Sequence, residues 1–213
     1  MSNVSKMGPD GRPQIEFWFD FGSNYSYPSV MRIEDLAAAA NLSIGWQPFL
    51  LGPIFKSFGW GNSPFVLQKE KGDYMWKDMA RQCRKYGIPW AQPSTFPRLA
   101  VLPLRVALCA MEQPWIGEFC KCVMLQNFAA DQDINAEENV VKALEQLHLP
   151  AASIIAAARS ETNKLKLRTQ TEQAKALGIF GAPTFFVSGE MFWGNDCLDD
   201  AITYACELRK ALP

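Results

Sequence analysis

A chain of 213 residues, 48% hydrophobic and 20% charged, can bury one substantial core, alone or with a sizeable insertion. A net charge of −1 gives no electrostatic reason to expect nucleic acid or an anionic membrane as partner, although a few local donors could still hold a small anion. No segment offers the roughly 20 uninterrupted apolar residues of a membrane span, and the polar residues 1–13 lack the apolar run of a signal peptide. These absences predict a cytoplasmic protein that begins with a flexible tail.

In chain order, residues 15–21 are mainly aromatic or β-branched, as a central strand would be. Residues 24–40 turn helical, with Val30, Ile33, Leu36, Ala37 and Ala40 on one face and Pro28 early enough to be tolerated. Asn41 is a stop signal, and residues 42–48 read as a second strand, so the unit predicts two parallel strands with a right-handed crossover. Residues 51–64 read as a loop punctuated by Gly and Pro, carrying Lys56, Trp60 and Asn62.

Helical patterns follow over residues 65–86, 98–110 and 115–128. Residues 135–147 open with a capping arrangement of Asn135 and Glu138. Two further helices are expected over residues 151–159 and 160–177, the latter ending at Gly178. Strand character returns in residues 184–187 and 190–193, joined through Ser188-Gly189 as a hairpin, and residues 196–212 close the chain as a helix. The order β-α-β, helical block, α-β-β-α predicts an α/β thioredoxin-like domain from residues 14–60 and 162–213, with a helical insertion over residues 61–161; the two halves must meet to complete one sheet.

Six cysteines contain no Cys-X-X-Cys spacing, and Cys120-Lys121-Cys122 lacks a second pair for a metal site. Reduced thiols packed as small hydrophobes are the expectation. The lone histidine, His148, follows a helix and precedes Leu149-Pro150, which suits a helix end or the surface.

The chemistry concentrates at Ser23-Asn24-Tyr25-Ser26, where the first strand delivers a serine to a helix start. A thioredoxin-like redox protein would carry its first cysteine there. A helix N-terminus stabilises an anion, so a thiolate placed there is favoured over its thiol, and the Ser23 hydroxyl can add a hydrogen bond to it. With no cysteine in the motif, the sulfur would come from a bound molecule such as glutathione. Serine is also a preferred helix cap, and Ser23 as a cap alone is the competing reading. The second feature, Ala182-Pro183 at the entry to the third strand, would in the cis form present the Ala182 backbone to an extended peptide.

The segments Phe19-Asp-Phe-Gly-Ser23-Asn-Tyr25-Ser-Tyr27, Gly52-Pro-Ile-Phe-Lys56, Lys71-Gly-Asp-Tyr74, Phe180-Gly-Ala-Pro-Thr184 and Glu190-Met-Phe-Trp-Gly-Asn-Asp196, in this order and spacing, resemble one family. It comprises the 2-hydroxychromene-2-carboxylate isomerases and kappa-class glutathione transferases, and the likeness runs from Ile15 onward. It implies a glutathione-dependent isomerase of a small aromatic carboxylate, with a kappa-like transferase or a non-catalytic glutathione- or carboxylate-binding module as alternatives. It implies that Ser23 bonds the glutathione sulfur, and that Asn24, Tyr25, Asn62, Lys71, Ala182, Pro183, Asn195 and Asp196 surround glutathione. Lys56 would take the substrate carboxylate; Asn62, Trp60, Phe96 and Trp193 would line the rest of the pocket. A homodimer is a further implication. The residue after the serine is usually proline in this family; Asn24 adds an amide N–H at the first turn.

Overall fold

The protein is described here from a computed structural model covering residues 6–210. Its four-stranded sheet has the order β2-β1-β3-β4, with β1 Gln14–Phe19, β2 Ser43–Pro48, β3 Thr184–Val187 and β4 Glu190–Trp193. Strand β1 pairs in parallel with β2, from Gln14 opposite Ser43 to Phe19 opposite Pro48, and antiparallel with β3, where Phe17 faces Phe185. The two ends of the chain therefore complete one sheet, as the element order requires. Strands β3 and β4 form the expected hairpin, and positive φ at both Ser188 (51°) and Gly189 (86°) makes a tight turn that matches strand twist.

Alternation along β1 buries both sheet faces. Ile15, Phe17 and Phe19 join Phe185 and Val187 in the larger core, while Trp18 points to the opposite face with Phe49, Ile54 and Phe186. Helix α1, Ser26–Ala39, lays Val30, Ile33 and Ala37 on the larger core. That core continues without a break into the inserted helices: α4 (Lys69–Tyr86) contributes Met75 and Met79, α5 (Val101–Cys109) Leu104, and α6 (Ile116–Phe128) Phe119 and Val123. The insertion is completed by α7 (Glu137–Gln146) and α8 (Ala151–Arg159), and α9 (Glu161–Ala176) leads back to the sheet. The last helix, α10 (Leu198–Lys210), follows a 3₁₀ turn at Asn195–Cys197.

Several local expectations are corrected. Residues 51–64 are not all loop: α2 occupies Leu51–Ser57 and buries Ile54, because the buried Asp20 carboxylate accepts its first N–H, Leu51, at 2.8 Å. The pattern over residues 65–86 breaks at Gln68 into α3 (Pro64–Leu67) and α4, since Ser63 caps a separate start with Pro64 behind it. Helix α5 begins at Val101 rather than 98. The expected cap Asn135 instead accepts the Leu102 N–H at 3.0 Å, and α7 starts two residues later with no side-chain cap. Residues 6–13, expected as part of a flexible tail, close on themselves through a Met7–Pro13 bridge and a Gly8-to-Arg12 hydrogen bond of 2.8 Å. The rest of that tail, residues 1–5, and the end of the expected last helix, 211–212, lie outside the described residues. His148 sits exposed just past α7 with φ 55°, in the left-handed position that ends a helix.

Candidate functional site

The site is built where β1 hands over to α1. Asp20 follows the strand and is nearly fully buried; its Oδ1 accepts the Gly22 N–H and its Oδ2 the Leu51 N–H, both at 2.8 Å. Burial pushes the Asp20 pKa above the usual carboxylate value, and the two amide bonds oppose that shift. Gly22 is required by packing: a Cβ there would stand 2.8 Å from the carbonyl oxygen of Arg98. Asp20 therefore clamps the turn to α2, and the segment before α5 presses on it from the other side. Sequence reading had placed Asp20 in the motif without assigning it this positioning role.

Ser23 lies at the apex, 8% exposed. Its hydroxyl donates to the Ala182 carbonyl at 2.8 Å and accepts the Ser26 N–H at 3.3 Å. The Ser26 bond is a cap-type contact, since Tyr25, just before α1, already has helical backbone and makes no side-chain cap bond; the bond to Ala182 is the part that capping does not explain. The backbone N–H groups of Asn24 and Tyr25 have no acceptor among the described residues. They are first-turn donors of the kind that favour an anion. The Asn24 amide that replaces the family's proline is thus an additional free donor. Further buried polar atoms with unused hydrogen-bonding capacity gather here: Asn24 Nδ2 and Ser26 Oγ at the helix start, and Asn195 Nδ2.

The Ala182–Pro183 bond is cis. Ala182 is buried; its N–H has no acceptor among the described residues, and Ser23 is the donor to its carbonyl. The Pro183 carbonyl is taken by Gly194 N–H at 3.0 Å. Beside them, the half-exposed Trp193 stacks on Phe180 with centroids 4.8 Å apart and lies directly over Gly181, where a Cβ would come within 2.3 Å of the indole nitrogen. Trp193 thus flanks the cis-proline loop, and Gly181 is there because nothing larger fits beneath the indole.

On the insertion side, Tyr25 reaches α4. Its hydroxyl donates to Asp78 at 3.1 Å and its ring packs on Phe65 at 5.8 Å. Lys71 Nζ stands 5.7 Å from the Phe65 ring centroid, so Phe65 bridges Lys71 to the Ser23 turn. Partial burial first, then the negative charges of Asp78 and Asp196, raise the Tyr25 pKa and keep the phenol protonated. That Asp196 acts on Tyr25 places this exposed carboxylate on the same side of the molecule. Phe65 and Asp78 were not singled out in the sequence. The signal available was the spacing of Lys71, Tyr74 and Asp78, which share one face of α4.

Other predicted residues sit differently. Asn195 is 2% exposed; its Oδ1 accepts the Ser29 hydroxyl at 3.0 Å, so its side chain joins the 3₁₀ turn to α1 instead of facing outward. Lys56, Trp60 and Asn62 are exposed. Trp60 packs on Phe55 and Phe58, and Asn62 accepts the N–H of Ser63 at 2.7 Å. No hydrogen bond, ion pair or ring contact links these three to the Ser23 turn among the described residues. Phe96 is half-buried edge-on to Trp76 at 4.7 Å, within an aromatic chain that includes Trp90 and Phe128, a packing role. Among the described residues no cluster of His, Cys, Asp or Glu could hold a metal ion, and no helix is long and apolar enough to cross a membrane.

A thioredoxin-like sheet carrying a serine at the helix start and a cis-proline beside it defines the class. Residues 14–203 match the DSBA-like thioredoxin domain, and the chain belongs to that family. Within it, the chain is 29% identical over 195 residues to 2-hydroxychromene-2-carboxylate isomerase of Sphingobium xenophagum, covering 89% of this chain and 96% of that one. It is 27% identical over 207 residues to glutathione S-transferase kappa 1 of Rattus norvegicus, covering 91% and 90%. The solved structure of a selenomethionine 2-hydroxychromene-2-carboxylate isomerase superposes with a TM-score of 0.83 at 24% identity, over 94% of this chain and 99% of that one. The chain is thus related to both isomerases and glutathione transferases.

Proposed function

We propose that the protein is a glutathione-dependent isomerase of a small aromatic carboxylate, 2-hydroxychromene-2-carboxylate or a relative, giving a trans-benzylidenepyruvate-type product. The observation that carries the reading is the meeting of Ser23 Oγ with the Ala182 carbonyl at 2.8 Å, beside the unpaired amides of Asn24 and Tyr25. These groups fit a thiolate-bearing peptide: donors converge at the helix start, and the Ala182 N–H is available for an extended backbone. Bound there, glutathione would supply the nucleophilic sulfur that adds to the substrate and leaves again, so that rotation occurs without net redox change.

The chain's own part is electrostatic and positional. The Ser23 hydroxyl is a rotor, and its proton can turn from the Ala182 carbonyl to a sulfur anion. The exchange gives up a neutral hydrogen bond of about 1 kcal/mol for a charge-assisted one of about 1.5–3 kcal/mol, so the anion wins. Ser23 does not itself attack, because its motif contains no histidine to take its proton. Tyr25, held by Asp78, braces the first turn of α1. Asp196 would pair with an ammonium at the γ-glutamyl end, with Asn195 holding its turn to α1 through Ser29. Lys71 and Asn62 complete the glutathione side, and Lys56, Trp60 and Trp193 face the substrate. Phe96 supports the pocket wall through Trp76. A reducing cytoplasm suits both glutathione and the free cysteines. The exposed Val66 and Leu67 of the insertion suit a homodimer contact.

Ser23→Ala tests the reading. Glutathione-dependent turnover, followed by the ultraviolet spectrum of the chromene carboxylate, should fall at least about 100-fold, the scale of losing one donor to a developing or bound anion. Stability should fall by only about 1 kcal/mol. Unaltered turnover would refute the assignment. The identity to the rat kappa-class enzyme favours a transferase as second reading. A stable glutathione adduct as product selects the transferase; an isomeric product with glutathione recovered selects the isomerase.

A further inference from the structure

Away from Ser23, α2, α5 and α9 line a half-open cavity of about 290 Å³, near the lower end of the range for small-molecule sites. None of its lining residues belongs to the proposed glutathione cleft. Leu50, Pro53, Val101 and Leu167 make one part of the lining apolar. Arg105, Lys164 and Arg168 also line the cavity, with Glu172 as the one carboxylate among its lining residues.

The state of these cations is what points to a ligand. Lys164 is satisfied by Glu161, one helical turn away. Arg105 is not: its Nε is buried without a hydrogen-bond partner, and no carboxylate lies within ion-pair distance of Arg105 or Arg168 among the described residues. A guanidinium cannot lose its proton to escape burial, so a buried Nε–H without a partner is costly until an acceptor arrives. Arg168 on the same lining, with Lys164, leaves three cations against the single carboxylate of Glu172, an excess of positive charge that favours an anion.

The walls are held independently of any ligand. Thr171 accepts the Leu50 N–H at 3.1 Å and donates to the Leu167 carbonyl at 2.9 Å, joining α9 to the start of α2. Asn163 Nδ2 donates to the Arg105 carbonyl at 2.9 Å and to that of Ala158 at 3.1 Å, fixing α5 against α9. The arrangement is a preformed cavity whose lining combines apolar side chains with two arginines.

We propose that this cavity is a second binding site, for a small monocarboxylate with an apolar body, the carboxylate held by Arg105 and Arg168. Phosphate would meet the charge but leave the apolar wall uncovered; a planar carboxylate meets the guanidinium fork and carries a body for Leu50, Val101 and Leu167. The proposal does not rest on the glutathione reading. The wall residue Leu50 adjoins Leu51, whose amide is held by Asp20, so the site borders the Ser23 turn without sharing its residues.

The test uses methyl-labelled full-length protein at low salt, with benzoate as probe and benzamide and inorganic phosphate as comparisons. Benzoate should shift the Leu50, Val101 and Leu167 methyl resonances, with at least tenfold weaker binding of benzamide and of phosphate there. Arg168→Glu, on an exposed side chain, and Arg105→Met should each weaken benzoate at least tenfold, while Ser23→Ala leaves binding at these methyls unchanged. Unmoved methyls overturn the site, and so does unaltered affinity in either arginine variant. Equal binding of phosphate overturns the ligand class, and loss of binding in Ser23→Ala overturns its independence.

Discussion

Around Ser23 the chain holds its turn with contacts from four separate segments: Asp20 from the strand end, Leu51 from α2, the Arg98 carbonyl ahead of α5, and Ala182 beside the cis-proline. From residue 56 to 62 the opposite holds. Lys56, Trp60 and Asn62 are exposed, and the recorded contacts of Trp60 and Asn62 come only from neighbours within five residues. A donor that must meet a sulfur anion has to be placed to within a fraction of an ångström, and long-range buried contacts do that. A surface that selects among acceptor molecules can vary by exposed side chains with little cost to folding.

The sharpest way to break this contrast is with matched glycines. Gly22→Ala drives a Cβ to 2.8 Å from the backbone oxygen of Arg98, whereas a Cβ at Gly61 meets nothing within 4 Å. Gly22→Ala should cost about 2 kcal/mol in urea unfolding and take turnover down with it. Gly61→Ala should stay within about 0.5 kcal/mol and leave turnover near that of the native chain. Equal effects at the two positions would remove the distinction between a locked turn and an open loop.

Next in size is Asp20→Asn. The amide oxygen can serve only one of the Gly22 and Leu51 N–H groups well, so a loss of about 1–2 kcal/mol is expected. The pH dependence identifies the cause. Because burial raises the Asp20 pKa, the folded state binds this proton more tightly than the unfolded state does. Its contribution to stability is fully present below the ordinary carboxylate value of 3.8 and is lost as pH rises through the raised folded value. The cost of Asp20→Asn should therefore be largest at the acid end of that window and shrink as pH rises. A cost that grew with pH would mean that the two amides outweigh burial.

How much of this was legible beforehand follows from how far the deciding contact lies along the chain. The strand before Ser23, the α1 face of Val30, Ile33 and Ala37, and the β3–β4 hairpin were readable because period and turn chemistry are local. Helix α2 was not, since Gly52 and Pro53 look like breakers and the group that secures its first amide is Asp20, 31 residues away. Asn135 looked like a cap and became one for nothing nearby: its acceptor serves Leu102. At the candidate site, the Ser23–Ala182 contact and the stacking of Trp193 on Phe180 join residues that the sequence motifs single out. Phe65 and Asp78 acquire meaning only when α4 is laid beside Tyr25, and Arg105 and Arg168 come to line one cavity only once α5 and α9 are packed.

The smallest expected effects distinguish the two exposed lysines. Neither Lys56 nor Lys71 has a carboxylate partner among the described residues, so alanine at either position should change stability by less than about 0.5 kcal/mol. Their surroundings differ. Lys71 stands by Phe65 and through it by Tyr25, on the side proposed for glutathione, while Lys56 is on α2 away from those contacts. Lys71→Ala should raise the KM for glutathione, and Lys56→Ala the KM for the aromatic carboxylate, each about two- to fivefold, as suits an exposed ion pair worth up to about 1 kcal/mol. Both increases should fade as salt screens the charge, with kcat held. A Lys56→Ala variant whose glutathione KM rises instead would move Lys56 and Trp60 to the glutathione side with Asn62, and the open loop would then serve the cofactor, leaving acceptor selection to Trp193 and the cis-proline loop.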